Sequence, residues 1–335
     1  MVKKSETKKQ SKKPAMKKAE IVKIAKNAVK TVAEKKYFNT EQIGALHPTL
    51  PVNENATARV SGIGFSTTED VSESGAAIQW CGQQVYEQYC LRPWSENTPL
   101  VDTERAALAM EGKWLQPVSC KSRFRLSRFH SKIDEQSSLV PGNPDYPKHL
   151  AQNCPVICRV MRVTPKLSAG TKTDISPNND IFINEYGEAL GPEEDDFDVK
   201  EMLFYKINKR RYTVLEDKKI KLLSPLTLQY QSYRLNNTNA IGFTPIVSNT
   251  NANCEKYLTM YHQLSKTKGG KCYYEDPLSV PPPTTATTGH RREYTLFLFA
   301  HQGADEIVGD DVATQIAGPT EINVDMVNYS KFIDV

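Results

Sequence analysis

The sequence predicts an all-β body, a sandwich or barrel, behind a basic N-terminal arm. Three observations predict it. Helical periodicity stops near residue 37, and from there short β-rich runs alternate with Pro-, Gly- and Asn-rich breaks. Charge is divided along the chain: residues 1–36 hold 13 Lys, no Arg and three Glu, a net +10, which leaves residues 37–335 at −6 within an overall +4. The run Tyr294–Ala300 (YTLFLFA) is almost wholly apolar, as a strand buried on both faces is.

The arm divides in two. Residues 1–18 are mostly Lys, Ser, Thr, Gln and Pro, too polar to offset ordering entropy, and read as disordered. Over residues 19–36, Ile21, Ile24, Ala25, Ala28, Val29, Val32 and Ala33 recur at helical spacing with Lys23, Lys26 and Lys30 between them. This is a short amphipathic basic helix, marginal alone in water and suited to forming against a partner. A solubilising tail and a membrane-surface helix are the alternatives. Asymmetry of this kind points to a polyanion, bound by Lys3, Lys4, Lys8, Lys9, Lys12, Lys13, Lys17, Lys18, Lys23, Lys26, Lys30, Lys35 and Lys36. The arm thus spans residues 1–36 and the body residues 37–335.

In the body, strands are predicted at Thr57–Phe65, Ala76–Cys81, Val118–Phe129, Val156–Val163, Met202–Ile207, Leu226–Tyr233, Lys256–Leu264, Lys271–Tyr274, Tyr294–Ala300 and Glu321–Ile333. Tyr212–Leu223 reads as a hairpin turning at Asp217-Lys218, without the favoured Gly. One later helix is predicted, Thr103–Glu111, between Asp102 as N-cap and Gly112 as stop. In Val118–Phe129, period-two alternation puts Cys120, Ser122, Phe124 and Leu126 on one face and Lys121, Arg123 and Arg125 on the other. That row of cations is either a solvated outer surface or a second contact for nucleic acid.

The sequence also excludes chemistry. No apolar run reaches the ~18 residues of a membrane helix, and the Lys-rich N-terminus lacks the apolar segment of a secretory signal. Seven Cys at irregular spacing argue against a disulfide framework and for a reducing compartment. Cys154 and Cys158 have no second pair at zinc-finger spacing and read as inert core thiols. HExxH, GxSxG and P-loop patterns are absent, and Gly62-Ile63-Gly64 reads as a strand bend or turn. The acidic clusters Glu193–Asp196 with Asp198, and Asp305, Glu306, Asp310 and Asp311, read as solvated loops and lack EF-hand spacing. No nucleophile, base and orienting group come together along the chain, so no catalytic residue, metal ligand or cofactor is assigned.

The order of features resembles a known family. The stretch Asp180–Leu223 runs DIFINEYGEALG, an acidic loop, then MLFYKINKRRYTVLEDKKIKLL. It is similar to the central part of capsid proteins from circovirus-like viruses, whose circular single-stranded DNA encodes a replication initiator. The matching residues are Lys206, Ile207, Asn208, Lys209, Arg210, Arg211, Tyr212, Val214, Leu215, Asp217 and Lys218. Lys256–Tyr274, the apolar strand Tyr294–Ala300 and the ending Lys331–Val335 resemble later parts of such capsids. The resemblance covers the arm and residues 155–335.

The resemblance implies a single jelly-roll sandwich, two four-stranded antiparallel sheets with long loops. It implies self-assembly into an icosahedral shell of about sixty copies, with the arm inside on a single-stranded DNA genome. It also implies residence in the virion and, during assembly, the host nucleus. The arm's Lys pairs would then serve a host nuclear import receptor as well. Lys meets phosphate as a point charge, so DNA binding is expected to be sequence-independent and strongly salt-dependent. A cellular β-sandwich protein with a nucleic-acid-binding tail, and an enzyme with a dispersed site, are the competing functions.

Overall fold

Long runs with alternating burial assemble into two sheets packed face to face. The computed structural model describes residues 18, 20–24, 35–39, 43–52, 58–68, 77–88, 90, 112–129, 154–166, 175–194, 197–234, 241–250, 252–274, 288–303 and 317–334. The first sheet orders β1 (Lys35–Asn39), β18 (Ile322–Asp334), β7 (Trp114–Arg128) and β15 (Glu255–His262). Here β2 (Ile43–Leu46) also pairs with β18, and β16 (Cys272–Tyr273) with β7. The second sheet orders β12 (Tyr212–Leu222), β8 (Val156–Pro165), β17 (Tyr294–His301), β3 (Val60–Ser66) and β6 (Tyr86–Glu87). Its contact between β3 and β6 is parallel, and every other pairing in the two sheets is antiparallel. Three small sheets are added: β4 (Gln79–Trp80) with β5 (Gln83–Gln84), β9 (Phe182–Ile183) between β10 (Ala189–Leu190) and β11 (Lys206–Ile207), and β13 (Leu226–Arg234) with β14 (Ile241–Thr250).

The two sheets share a core. Phe124 lies 5.2 Å from Phe65 and 5.3 Å from Phe297 between ring centroids, and Leu126, Val324, Met326, Val160 and Phe299 fill in around them. A fully buried Phe, Leu, Val or Met side chain in this core stabilises by roughly 1.5–3 kcal/mol on area alone. The second sheet is covered on its other face as well. There Met161, Val163, Tyr294, Leu296 and Leu298 pack against Trp80, Phe182, Phe197 and Met202. Every residue of β17 is therefore buried, as its apolar sequence predicts.

Gly62 and Gly64 lie inside β3 and make no bend, contrary to the sequence reading. A Cβ on Gly62 would stand 2.4 Å from Cys81 Sγ and 2.8 Å from Trp80 Nε1. The missing side chain lets Trp80 lie against the strand and donate from Nε1 to Phe297 O at 3.1 Å.

Other expectations are corrected. Tyr212–Leu222 is one continuous strand with a bulge between Val214 and Glu216, so no hairpin turns at Asp217-Lys218. Asp217 stays in the strand because it takes both arms of buried Arg159, at 2.9 and 2.7 Å. The same guanidinium donates to Met202 O and Tyr205 O and lies over Phe182, 5.0 Å from its centroid. Met202–Ile207 is not a strand: helix α2 (Val199–Phe204) runs into the two-residue β11. Asp198 begins α2 by accepting from Lys200 N and Glu201 N in a capping box with Glu201. A shorter helix, α1 (Pro177–Asp180), precedes it.

Within the first acidic cluster, Asp198 is this cap and Glu193 bonds the Asn178 amide, rather than both being freely solvated. The arm helix does not run to residue 36. Residues 20–24 are helical, but Lys35 and Lys36 begin β1 opposite Ile333 and Phe332. Strand β14, which contains Gly242 and Pro245, is not among the predicted strands. Helix Thr103–Glu111, the second acidic cluster and most of the arm lie outside the described residues. Among the described residues no helix is long and apolar enough to cross a membrane.

Candidate nucleic-acid interface

The first sheet buries one face against the second, and among the described residues no element covers its other face. Alternation in β7 holds as predicted: Cys120, Ser122, Phe124 and Leu126 are buried, while Lys121, Arg123 and Arg125 lie on the outer face. Register sets their neighbours. Lys121 stands between Tyr261 of β15 and Tyr329 of β18, Arg123 between Thr259 and Val327, and Arg125 between Tyr257 and Asp325. At the far edge, Tyr37 of β1 stands opposite Lys331. The face thus interleaves cations with tyrosines.

The cations differ in their charge environment. Arg125 holds Glu255 at 2.6 Å and Asp325 at 3.3 Å, and the Glu255 bond raises its pKa while lowering that of Glu255. Its charge is largely answered within the sheet. Among the described residues, Lys121 and Arg123 have no carboxylate partner. Lys121 Nζ lies 5.1 Å from the Tyr329 centroid and Lys331 Nζ 4.9 Å from that of Tyr37. A hydrogen bond from Lys331, then its charge and that of Lys35, lower the pKa of the Tyr37 hydroxyl. Tyr257 and Tyr261 are 66% and 69% exposed, large aromatic surfaces left open among the described residues. They are two steps of the pleat apart, about 14 Å at ~3.4 Å per residue.

Sequence reading found the cations and missed the tyrosines. The signal was present: in Lys256–His262, Leu258 and Met260 alternate with Tyr257, Thr259 and Tyr261. Of the arm lysines, Lys18 and Lys23 are exposed on helical residues. Lys35 is exposed on the sheet. Lys36 is 1% exposed and reaches Asp334 Oδ2 at 3.3 Å, so it is a structural ion pair rather than a phosphate ligand. Lys3, Lys4, Lys8, Lys9, Lys12, Lys13, Lys17, Lys26 and Lys30 lie outside the described residues.

A second polar cluster sits beneath this face. Ser122 Oγ is 2.9 Å from His262 Nε2, and His262 Nδ1 is 3.0 Å from Glu293 Oε2. These are the distances of a nucleophile, base and carboxylate, contrary to the expectation that none come together. Ser122, however, is fully buried and donates its proton to Asn328 Oδ1 at 2.5 Å, while Gln88 Nε2 donates to it at 2.5 Å. As folded, the cluster joins β7, β15 and β18 to Gln88 and to the segment before β17, where Arg162 also holds Glu293 at 3.4 Å. All seven cysteines are free, and burial raises the pKa of Cys81, Cys90 and Cys158, which makes them poor nucleophiles. Among the described residues no group of three His, Cys, Asp or Glu is placed to hold a metal ion.

No protein-family model matches the chain, and no curated protein matches it.

Proposed function

We propose that the chain is a structural capsid subunit that assembles into an icosahedral shell and packages single-stranded DNA, using the Lys-rich arm together with the cation–tyrosine face. The observation that carries this reading is the continuity of arm and face. The last arm residues, Lys35 and Lys36, are hydrogen-bonded into β1, an edge strand of the same sheet that presents Lys121, Arg123 and Lys331. A strand of nucleic acid held by the arm therefore meets that face next. Cations with exposed aromatic rings between them suit single strands, whose phosphates and unpaired bases are both accessible.

The strand order supports a jelly roll. With the principal strands numbered in chain order (β1 with β2, then β3, β7, β8, β12, β15, β17 and β18), one sheet reads first, eighth, third, sixth. The other reads fifth, fourth, seventh, second. That is the order of two Greek keys wound into two four-stranded sheets. Fold alone does not assign function, and the resemblance noted in Asp180–Leu223 supplies the capsid reading. On it, the first sheet faces the shell interior.

The test is assembly with circular single-stranded DNA. Purified protein is expected to form closed particles in negative stain and to protect the DNA from nuclease. Protein that binds DNA yet stays a small oligomer at every concentration would replace the shell with the cellular nucleic-acid-binding module.

A further inference from the structure

Two buried thiols meet where the two sheets are tied together. Just past β6, Gln88 N donates to Ser66 O of β3 at 2.6 Å. From the first sheet, Asn328 Nδ2 of β18 donates to Gln88 O, and Ser330 Oγ of β18 donates to Cys90 O. Gln88 and Cys90 are fully buried between the sheets. Each of these ties is a hydrogen bond.

Cys90 also brings a thiol to β7. Cys120 Sγ is 3.6 Å from Cys90 O. Ser330 Oγ, bonded to that same carbonyl, is 3.2 Å from Cys120 Sγ. The Cys90 thiol lies beside Cys120 and Ser122, successive inward residues of β7, and burial followed by the Cys120 thiol pushes its pKa well up. Leu115, Leu264, Tyr274 and Phe332 share this cluster with the two cysteines. Cys272 belongs to it too, but stands opposite Leu115 at the start of β7. Cys81 and Cys158 belong to the other two core clusters.

We propose that Cys90 and Cys120 form an oxidation site, closed to an intrachain disulfide by low-molecular-weight disulfides such as glutathione disulfide. One thiol loses its proton and attacks a sulfur of the oxidant, giving a mixed disulfide and releasing one glutathione thiolate. The second thiol, deprotonated in turn, attacks the protein sulfur of that mixed disulfide, and the second glutathione leaves. Two protein thiols are oxidised, and one glutathione disulfide is reduced to two thiols that take up the two protons. Burial shields Cys90 while the hydrogen bonds to Ser66, Asn328 and Ser330 hold, so attack waits on local opening of that segment. In a reducing compartment the pair stays as thiols, and in an oxidising medium it closes. The bond forms within one chain, whether or not the chain assembles. It closes a loop over residues 90–120 and joins the chain leaving β6 covalently to β7, which restricts the unfolded ensemble and stabilises the sandwich.

The experiment treats reduced full-length protein with glutathione disulfide in sub-denaturing urea, removes both, and alkylates the remaining thiols before peptide mapping. The intact mass is expected to fall by two hydrogens and the map to join Cys90 to Cys120. The melting temperature of the oxidised form is expected to lie about 5–10 °C above that of the reduced form. The comparison is repeated within each variant, so that a cost of the substitution itself cancels. Cys90→Ala and Cys120→Ala are each expected to lose both the bond and the shift, and Cys272→Ala to keep both. The parental map alone decides the pairing if a variant fails to fold. Alkylation of both Cys90 and Cys120 after treatment, glutathione left on either without a crosslink, or a bond from either to Cys272 overturns the inference. A Cys90–Cys120 bond that leaves the melting temperature unchanged overturns its role as a tie between the sheets.

Discussion

Lys121 and Arg123 are the cations of the outer face best placed to meet phosphate, and their contribution can be isolated. Both are changed to Gln in the full-length protein, so the arm is constant and only the sheet differs. They alternate along β7 about 6.8 Å apart at ~3.4 Å per residue, which lets each address its own phosphate. On single strands each phosphate contact contributes about −0.7 to the slope of log K against log salt, so losing two flattens the slope by about 1.4. Between 50 and 200 mM salt the parent then loses about sevenfold more affinity than the variant. The assay is fluorescence anisotropy with a mixed-sequence single-stranded oligonucleotide. Arg125→Gln is the control, because Glu255 and Asp325 already answer that charge, and its slope stays parental. Tyr257→Ala with Tyr261→Ala gives a complementary signature: affinity falls by about 1–3 kcal/mol per stacked base, the slope is unchanged, and Phe at both positions restores binding. A parental slope for the Lys121, Arg123 variant, or equal flattening by Arg125→Gln, refutes the assignment of this face.

Three further outcomes concern the body. Lys36→Ala removes a buried ion pair with Asp334 and is expected to cost about 3 kcal/mol, while a chain beginning at Lys35 melts as the full chain does; an unchanged midpoint for Lys36→Ala would put β1 outside the folded unit. Gly62→Ala drives a methyl against Cys81 Sγ, Trp80 Nε1 and Phe297 O, an overpacking expected to cost about 1–3 kcal/mol and to show as a lower urea midpoint. Burial, followed by the charges of Arg292 for His290 and Arg128 for His301, depresses these histidines to about 4 and about 3. The folded state therefore binds fewer protons than the unfolded one below pH ~6.5, so their contribution is present above that pH and is lost as pH falls toward 4 and 3. His301→Asn is expected to narrow the drop in urea midpoint between pH 7 and 4.5, and an equal drop in both proteins counts against the assignment.

Local pattern was enough wherever one residue's fate depended on its immediate neighbours in the chain. Alternation in Val118–Phe129 determined that Lys121, Arg123 and Arg125 share a face. The unbroken apolar run of Tyr294–Ala300 determined that its strand is covered on both sides. Composition separated a basic arm from an acidic body. Asp198 and Glu201 stand at capping-box spacing, a local helix-start signal that the strand reading of Met202–Ile207 did not use.

Tertiary structure decided what depended on residues far apart in sequence. Asp217 stays in a strand instead of a turn because Arg159, 58 positions away, takes its carboxylate with two hydrogen bonds. Lys36 leaves the arm for the sheet because β18 supplies both a ladder and Asp334, 298 positions away. Gly62 is a packing requirement of Trp80, not a bend. The cation–tyrosine face has the same origin: Lys121 lies beside Tyr261 and Tyr329 only through the register of three strands. Period-two alternation says which side of its own strand a residue takes. It carries no information about which strand lies alongside, because that choice is made by the burial shared between the two sheets.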